Sequence, residues 1–163
     1  MRILIAPDKF KGSLGAREVA ENITTGLSDV LRDAKIDIVP MADGGEGTAK
    51  VICDALDGSW VNCAAHDPLG REIDACYGWV RKRKLAVMEM NEAAGLHRLS
   101  ESERDPLRAN TFGVGEMLLD ASRRVANQIT IGLGGSATND GGLEWQEHLG
   151  FDFLPENKSS RVQ

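Results

Sequence analysis

The chain has 163 residues, 42% of them hydrophobic and 27% charged, with 19 basic against 25 acidic residues and a formal charge of −6. That is a globular composition with enough chain for a real core, and it excludes the disordered and collagen-like classes. The acidic balance argues against non-specific nucleic-acid binding, which needs a basic face to displace phosphate counterions; an anionic ligand must be held by local cations.

In chain order, "RILIAP" is a short apolar run closed by Pro7, the pattern of a buried parallel strand and too short for a signal peptide or membrane span. No membrane partner is expected, and the default location is cytoplasmic. "DKFKGSLG" follows as a loop with two lysines, Lys9 and Lys11. Ala16, Val19, Ala20, Ile23, Leu27, Val30 and Leu31 recur at helical spacing, with Gly15 as N-cap and Glu18 in the place of the capping-box acid. "KIDIVP" predicts a second strand and "MADGGEGT" a glycine-rich loop; Val51, Ile52, Ala55 and Leu56 mark one face of a second helix, stopped near Gly58.

The rhythm then changes. "SWVNCAAHDPLGREIDACYGWVRKRKLAVMEM" reads as antiparallel strands with a "DPLG" turn and a solvated "RKRK" tip. Val114, Met117, Leu118, Ala121 and Val125 predict a further helix, "QITIGL" a strand, and "LEWQEHLG" a helix closed by Gly150 before another strand begins at "FDFL". Cys53, Cys63 and Cys76 form no C-x-x-C pair and read as structural thiols of a reducing compartment.

"TIGLGGSATNDGG", Thr130 to Gly142, is a third loop kept bare of side chains after a strand. Three such loops at strand ends are where an open α/β sheet binds ligands, although α/β turns need Gly and Asp in any case. Phosphoryl transfer requires a phosphate cradle, carboxylates for a divalent metal, cations, and a group that orients the acceptor hydroxyl. The N–H groups of Gly134, Gly135 and Ser136 at a helix start, the hydroxyls of Ser136 and Thr138, Lys9 and Lys11, and the carboxylates Asp43, Glu46 and Asp140 supply all four. The Walker pattern is absent. Two other readings stay open here. "GLGGSA" with Asp152 satisfies a weak dinucleotide fingerprint, and "IGLGGSA" is similar to the phosphate loop of the galactokinase and homoserine-kinase type. His66, His97 and His148 are scattered and form no zinc signature, and no G-x-S-x-G elbow is present.

Taken together, "IAPDKFKGSLGAREVAENI", "PMADGGEGT", "HDPLGREIDACYG", "VMEMNEAAGL", "NTFGVGEML" and "IGLGGSATNDGG" resemble the bacterial type of glycerate kinase, in matching order and spacing from Met1 to about Phe153. The resemblance implies transfer of the γ-phosphoryl group of ATP, with Mg²⁺, to D-glycerate, usually giving 2-phosphoglycerate. It also implies an α/β fold of two domains, one Rossmann-like and one inserted, with the active site between them. Residues 1–64 would begin the first domain and 65–163 the second, and because family members are more than twice as long the chain is expected to be an amino-terminal portion. An open sheet edge predicts self-association.

Carried over position by position, the resemblance marks Asp8, Lys11 and Ser13; Asp43, Gly44, Gly45, Glu46 and Gly47; Glu89; Thr111; and Gly134, Gly135, Ser136, Thr138, Asn139 and Asp140. Asp43, Lys11 and Asp140 are the expected catalytic residues, Asp43 and Glu46 the expected metal ligands, and Arg71 an option for the glycerate carboxylate. The chain departs from the family pattern at Lys9, Gly15, Asn91 (where Ala is common), Trp145 and Glu147.

Overall fold

The computed structural model describes residues 1–150; the expected strand at "FDFL" and the candidate ribose acid Asp152 lie outside the described residues. "RILI" and "KIDI" form β1 (Arg2–Ile5) and β2 (Lys35–Ile38), paired in parallel with Ile3 opposite Ile36 and Ile5 opposite Ile38. Parallel neighbours need a crossover, and α1 (Ala16–Val30) supplies it. Gly15 holds the extended backbone of an N-cap and its N–H donates to Glu18 Oε2 at 2.8 Å, which is the half of a capping box open to a residue without a side chain. Val19 and Ala20 are buried, whereas Ile23 and Val30 stay exposed because only two strands lie on this side of the molecule to receive the helix.

The second sheet has the order β3 (Ser59–His66), β4 (Glu72–Val80), β5 (Leu85–Glu89), β6 (Gln128–Gly132). The first three strands are antiparallel, as the hairpin pattern predicts, and β6 runs parallel to β5 with Val87 opposite Thr130. The expected division at residue 64 falls inside β3. Both faces of the sheet are covered, which is why "LAVM" is an unbroken apolar run: Leu85 and Val87 pack with Val80 on one face, Ala86 and Met88 with Ala75 and Tyr77 on the other.

On the first face lies α2 (Thr48–Leu56), presenting Ala49, Ile52, Cys53 and Leu56. This corrects the face read from sequence. Ile52 and Leu56 point inward, but Val51 and Ala55 look into a cavity, and the small buried residues Ala49 and Cys53 complete the inner stripe at i, i+3, i+4, i+7. On the second face α4 (Phe112–Arg123) buries Val114, Met117, Leu118 and Ala121. Val125 does not belong with them: it follows the helix at φ 63° and is 62% exposed. The "RKRK" tip is a single 3₁₀ turn, Arg81–Arg83. Two short helices, α3 (Met90–Ala94) directly after β5 and α5 (Leu143–His148), and two more 3₁₀ turns, Leu96–Arg98 and Glu101–Glu103, complete the described chain. The periodicity did not predict α3, which has only five residues. Among the described residues no helix is long and apolar enough to cross a membrane.

Candidate functional site

The three glycine-rich loops leave the carboxyl ends of β1, β2 and β6, and Glu89 sits at the end of β5 between them. The second and last loops touch backbone to backbone. Gly134 N–H donates to Gly44 O at 2.9 Å, a Cβ on Gly132 would stand 2.6 Å from that same oxygen, and one on Gly134 would stand 2.6 Å from Gly45 Cα. Close approach of main chain to main chain is therefore one reason for the missing side chains.

This geometry changes the expected phosphate cradle. The Gly134 N–H is already used, and no helix starts at Gly134–Ser136, since α5 begins only at Leu143. The loop is instead strapped to the segment after α3 by Leu96 N–H to Gly135 O at 3.0 Å and Ala137 N–H to Ala94 O at 2.8 Å. Ser136 Oγ lies 2.8 Å from Thr138 Oγ1 and accepts from Thr138 N–H at 3.1 Å. Among the described residues, the N–H groups of Gly135, at φ 76°, and Ser136 are left without a hydrogen-bond acceptor. Asn139 is exposed beside them.

The first loop reaches the second through Lys9. Its Nζ donates to Glu46 O at 2.7 Å and lies 3.4 Å from Asp43 Oδ1. Asp43 Oδ1 also accepts from Gly45 N–H at 2.9 Å, and that bond, followed by Lys9, holds the carboxyl below its ordinary range. Asp43 is thus an ionised, exposed carboxylate steadied by one cation. Asp8 turns its Oδ1 onto Lys9 N–H at 2.6 Å, while Lys11 and Ser13 are exposed. The cation brought into the loop network is therefore Lys9, read from sequence as a departure, rather than Lys11; two lysines two apart in one loop carry no sequence signal for which faces inward.

Glu89 is a half-buried acid. Burial pushes its carboxyl up, against the opposing effect of two N–H donors at the start of α2, Ala49 at 2.7 Å and Gly47 at 3.1 Å. It binds the second loop to β5. Asp140 likewise has both oxygens engaged: Oδ2 accepts from Thr111 Oγ1 at 2.6 Å and Thr111 N–H at 2.9 Å, and Oδ1 from Gly142 N–H at 3.1 Å. Thr111 is fully buried, so this carboxylate is tied into the start of α4. Arg71 is held on the "DPLG" turn by Asp67, by Glu103 Oε1 at 2.7 Å and by the Arg98 carbonyl at 3.1 Å, so its Nε and both terminal nitrogens are occupied by the chain itself. The structure brings together Asp43, Gly44, Gly45, Glu46, Glu89 and Gly134 to Thr138; Arg71 belongs to a separate network.

A cavity of about 730 Å³ opens on the far side of Lys9, lined by Asp8, Lys9, Ser13, Glu46, Lys50 and Met41 among others, and it contains no residue of the last glycine loop. Its size is that of a small-molecule pocket. Among the described residues no group of three or more His, Cys, Asp or Glu is placed to hold a metal ion.

The glycerate kinase family model matches residues 3–162. A glycerate kinase of Halalkalibacterium halodurans is 44% identical over 155 residues, covering 95% of this chain and 41% of that protein. The glycerate 2-kinase of Escherichia coli is 43% identical over 157 residues, covering 96% of the chain and 41% of the relative. The crystal structure assigned to a glycerate kinase 2 from Salmonella typhimurium LT2 superposes with a TM-score of 0.79 at 41% identity, over 91% of this chain and 40% of that one. The chain spans about two fifths of the length of the curated relatives it matches.

Proposed function

The chain belongs to the glycerate kinase family, and from that premise we propose that it carries part of the site at which the γ-phosphoryl group of ATP is transferred to D-glycerate, giving 2-phosphoglycerate. Membership weighs against the dinucleotide and galactokinase-type readings. The observation that carries the proposal is the contact of the Asp43 loop with the Gly134–Thr138 loop at the strand ends, which puts an ionised carboxylate beside a turn with unpaired N–H donors.

In this reading the glycerate hydroxyl oxygen forms a bond to the γ-phosphorus while the bond from phosphorus to the β,γ-bridging oxygen breaks, and ADP leaves. Asp43 accepts the hydroxyl's hydrogen bond, orients it and takes up its proton as the new bond forms. Lys9 and the N–H groups of Gly135 and Ser136 face the charge that spreads over the phosphoryl oxygens. Asp140, Thr111 and Glu89 act as braces that fix the loops, and Arg71 as a brace of the neighbouring turn. Mg²⁺ takes one or two carboxylates plus phosphates and water, and the exposed carboxylates of Asp43 and Glu46 fit that donor set. Such an ion supplies charge neutralisation across the phosphates. The location is assigned to the cytoplasm, and the first domain to the β1–α1–β2 unit with its loops.

The test is D-glycerate-dependent release of ADP by the 163-residue chain in Mg-ATP, with the product's phosphorus position read by NMR. Phosphate on the 2-hydroxyl is expected. Absence of turnover, together with a melting temperature that neither ligand raises, refutes a working site in this chain.

A further inference from the structure

Asn91 stands one residue after Met90 on the step from β5 into α3, and is only 6% exposed. Its Oδ1 is enclosed without a hydrogen-bond partner, whereas its Nδ2 is not among the enclosed unpaired atoms of the described residues. A buried amide oxygen left unpaired lowers stability, and such atoms in folded chains are uncommon. A smaller apolar side chain at this position would carry no such cost.

The carboxamide lies against the last glycine loop. A Cβ on Gly135 would be 3.2 Å from Asn91 Cβ and 3.3 Å from Nδ2. Gly135 and Ser136 are the two positions of that turn whose N–H groups have no acceptor among the described residues. Three N–H-bearing groups without a protein acceptor are thereby gathered at one turn. The other anion-favouring place nearby, the start of α2, is already filled by the carboxylate of Glu89. Glu92, the acid next in sequence, is turned away onto Cys76 N–H at 3.2 Å and Arg98 at 3.3 Å.

The geometry points to Asn91 as a ligand-binding residue of this chain: its Nδ2 joins the Gly135 and Ser136 N–H groups in holding the oxygens of a phosphoryl group, an inference that rests on the kinase reading of the same loop. The experiment is calorimetric titration of the 163-residue chain with sodium tripolyphosphate, without metal, for wild type, Asn91→Ala and Asn91→Asp, with melting curves of each. Loss of a donor to an anion weakens binding by about ten-fold or more. Asn91→Ala is expected to lose that affinity while its melting temperature holds or rises, because an enclosed oxygen without a partner has been removed. Asn91→Asp keeps the shape without the donor and is expected to lose at least as much. Variants that bind within two-fold of wild type overturn the inference and leave the kinase reading intact, and so does an Asn91→Ala chain whose melting temperature drops along with its affinity. A wild-type chain blind to tripolyphosphate overturns the loop as a phosphate site, and Asn91 with it.

Discussion

Gly134 donates its N–H to the carbonyl of Gly44 at 2.9 Å, so two loops 90 residues apart in sequence are joined by main chain alone. Adding a methyl group at Gly134 drives it into Gly45 Cα, and at Gly132 into the Gly44 carbonyl, both at 2.6 Å. Neither neighbour is the movable end of a side chain. Gly134→Ala and Gly132→Ala are each expected to destabilise the fold by about 2 kcal/mol or more, as overpacking against backbone does. Gly26→Ala, inside α1 with open space around it, is expected to stabilise by about 0.5–1 kcal/mol. Urea midpoints of the three variants check the contrast.

Asp43 and Asp140 separate in behaviour. Asp43 is 65% exposed and its partners are one lysine and one loop amide, so Asp43→Asn is expected to leave the urea midpoint where it is while abolishing any glycerate-dependent turnover. Equal kcat in wild type and variant removes Asp43 from the reaction. Asp140→Ala strands the buried hydroxyl and N–H of Thr111 and is expected to cost about 1–3 kcal/mol of stability. If its midpoint is unchanged and only turnover falls, Asp140 orients substrate, as the sequence first implied.

Glu89 sets a pH dependence. Burial raises its carboxyl above the ordinary 4.5, so the folded chain holds this proton more tightly than the unfolded chain does. In the window between 4.5 and the raised folded value the unfolded state binds fewer protons, and this residue's contribution to stability falls as pH rises; above the folded value it is level. Glu89→Gln is expected to lose that slope and, at neutral pH, to cost about 1–3 kcal/mol because one of the Gly47 and Ala49 N–H groups meets an amide NH₂ instead of an acceptor. Denaturation at a series of pH values, wild type beside variant, measures both.

The β1–β2 pair has two strands and no further neighbour among the described residues, and Leu4 on β1 is 63% exposed. Unpaired strand edges of this kind are templates for association. Light scattering is expected to show a mass that rises with concentration, and a constant monomer mass refutes the expectation.

Much of this architecture was legible because patterning and packing agreed. "RILI" and "KIDI" were read as strands and pair as such, although the burial expected of the first fails at Leu4, because its sheet has only two strands; the "DPLG" and "RKRK" punctuation marked the antiparallel turns. The inward face of α2 was misread because Ala49 and Cys53 are small, and hydrophobicity alone does not distinguish them from the larger Val51 that lines the cavity. Val125 fits the helical spacing of α4, but the helix ends at Arg123 and the backbone turns left-handed two residues later. At the site, the residue types were readable and their engagements were not. Whether Lys9 or Lys11 turns inward, and whether Asp140 is free or committed to Thr111, depends on contacts between loops remote in sequence. Glycine in the last loop signalled ligand approach, yet at Gly132 and Gly134 what approaches is another stretch of the same chain.

The seam between Gly44 and Gly134 has a mechanical consequence. At this seam the two loops meet main chain to main chain, with no side chain between them to take up a shift of one against the other. A ligand that draws the Gly135–Ser136 turn toward itself pulls the Gly44–Gly45 segment in the same direction, and the carboxylate of Asp43, tied to the Gly45 amide, travels with it. Occupancy at one loop is thereby felt at the other as displaced backbone rather than as altered charge.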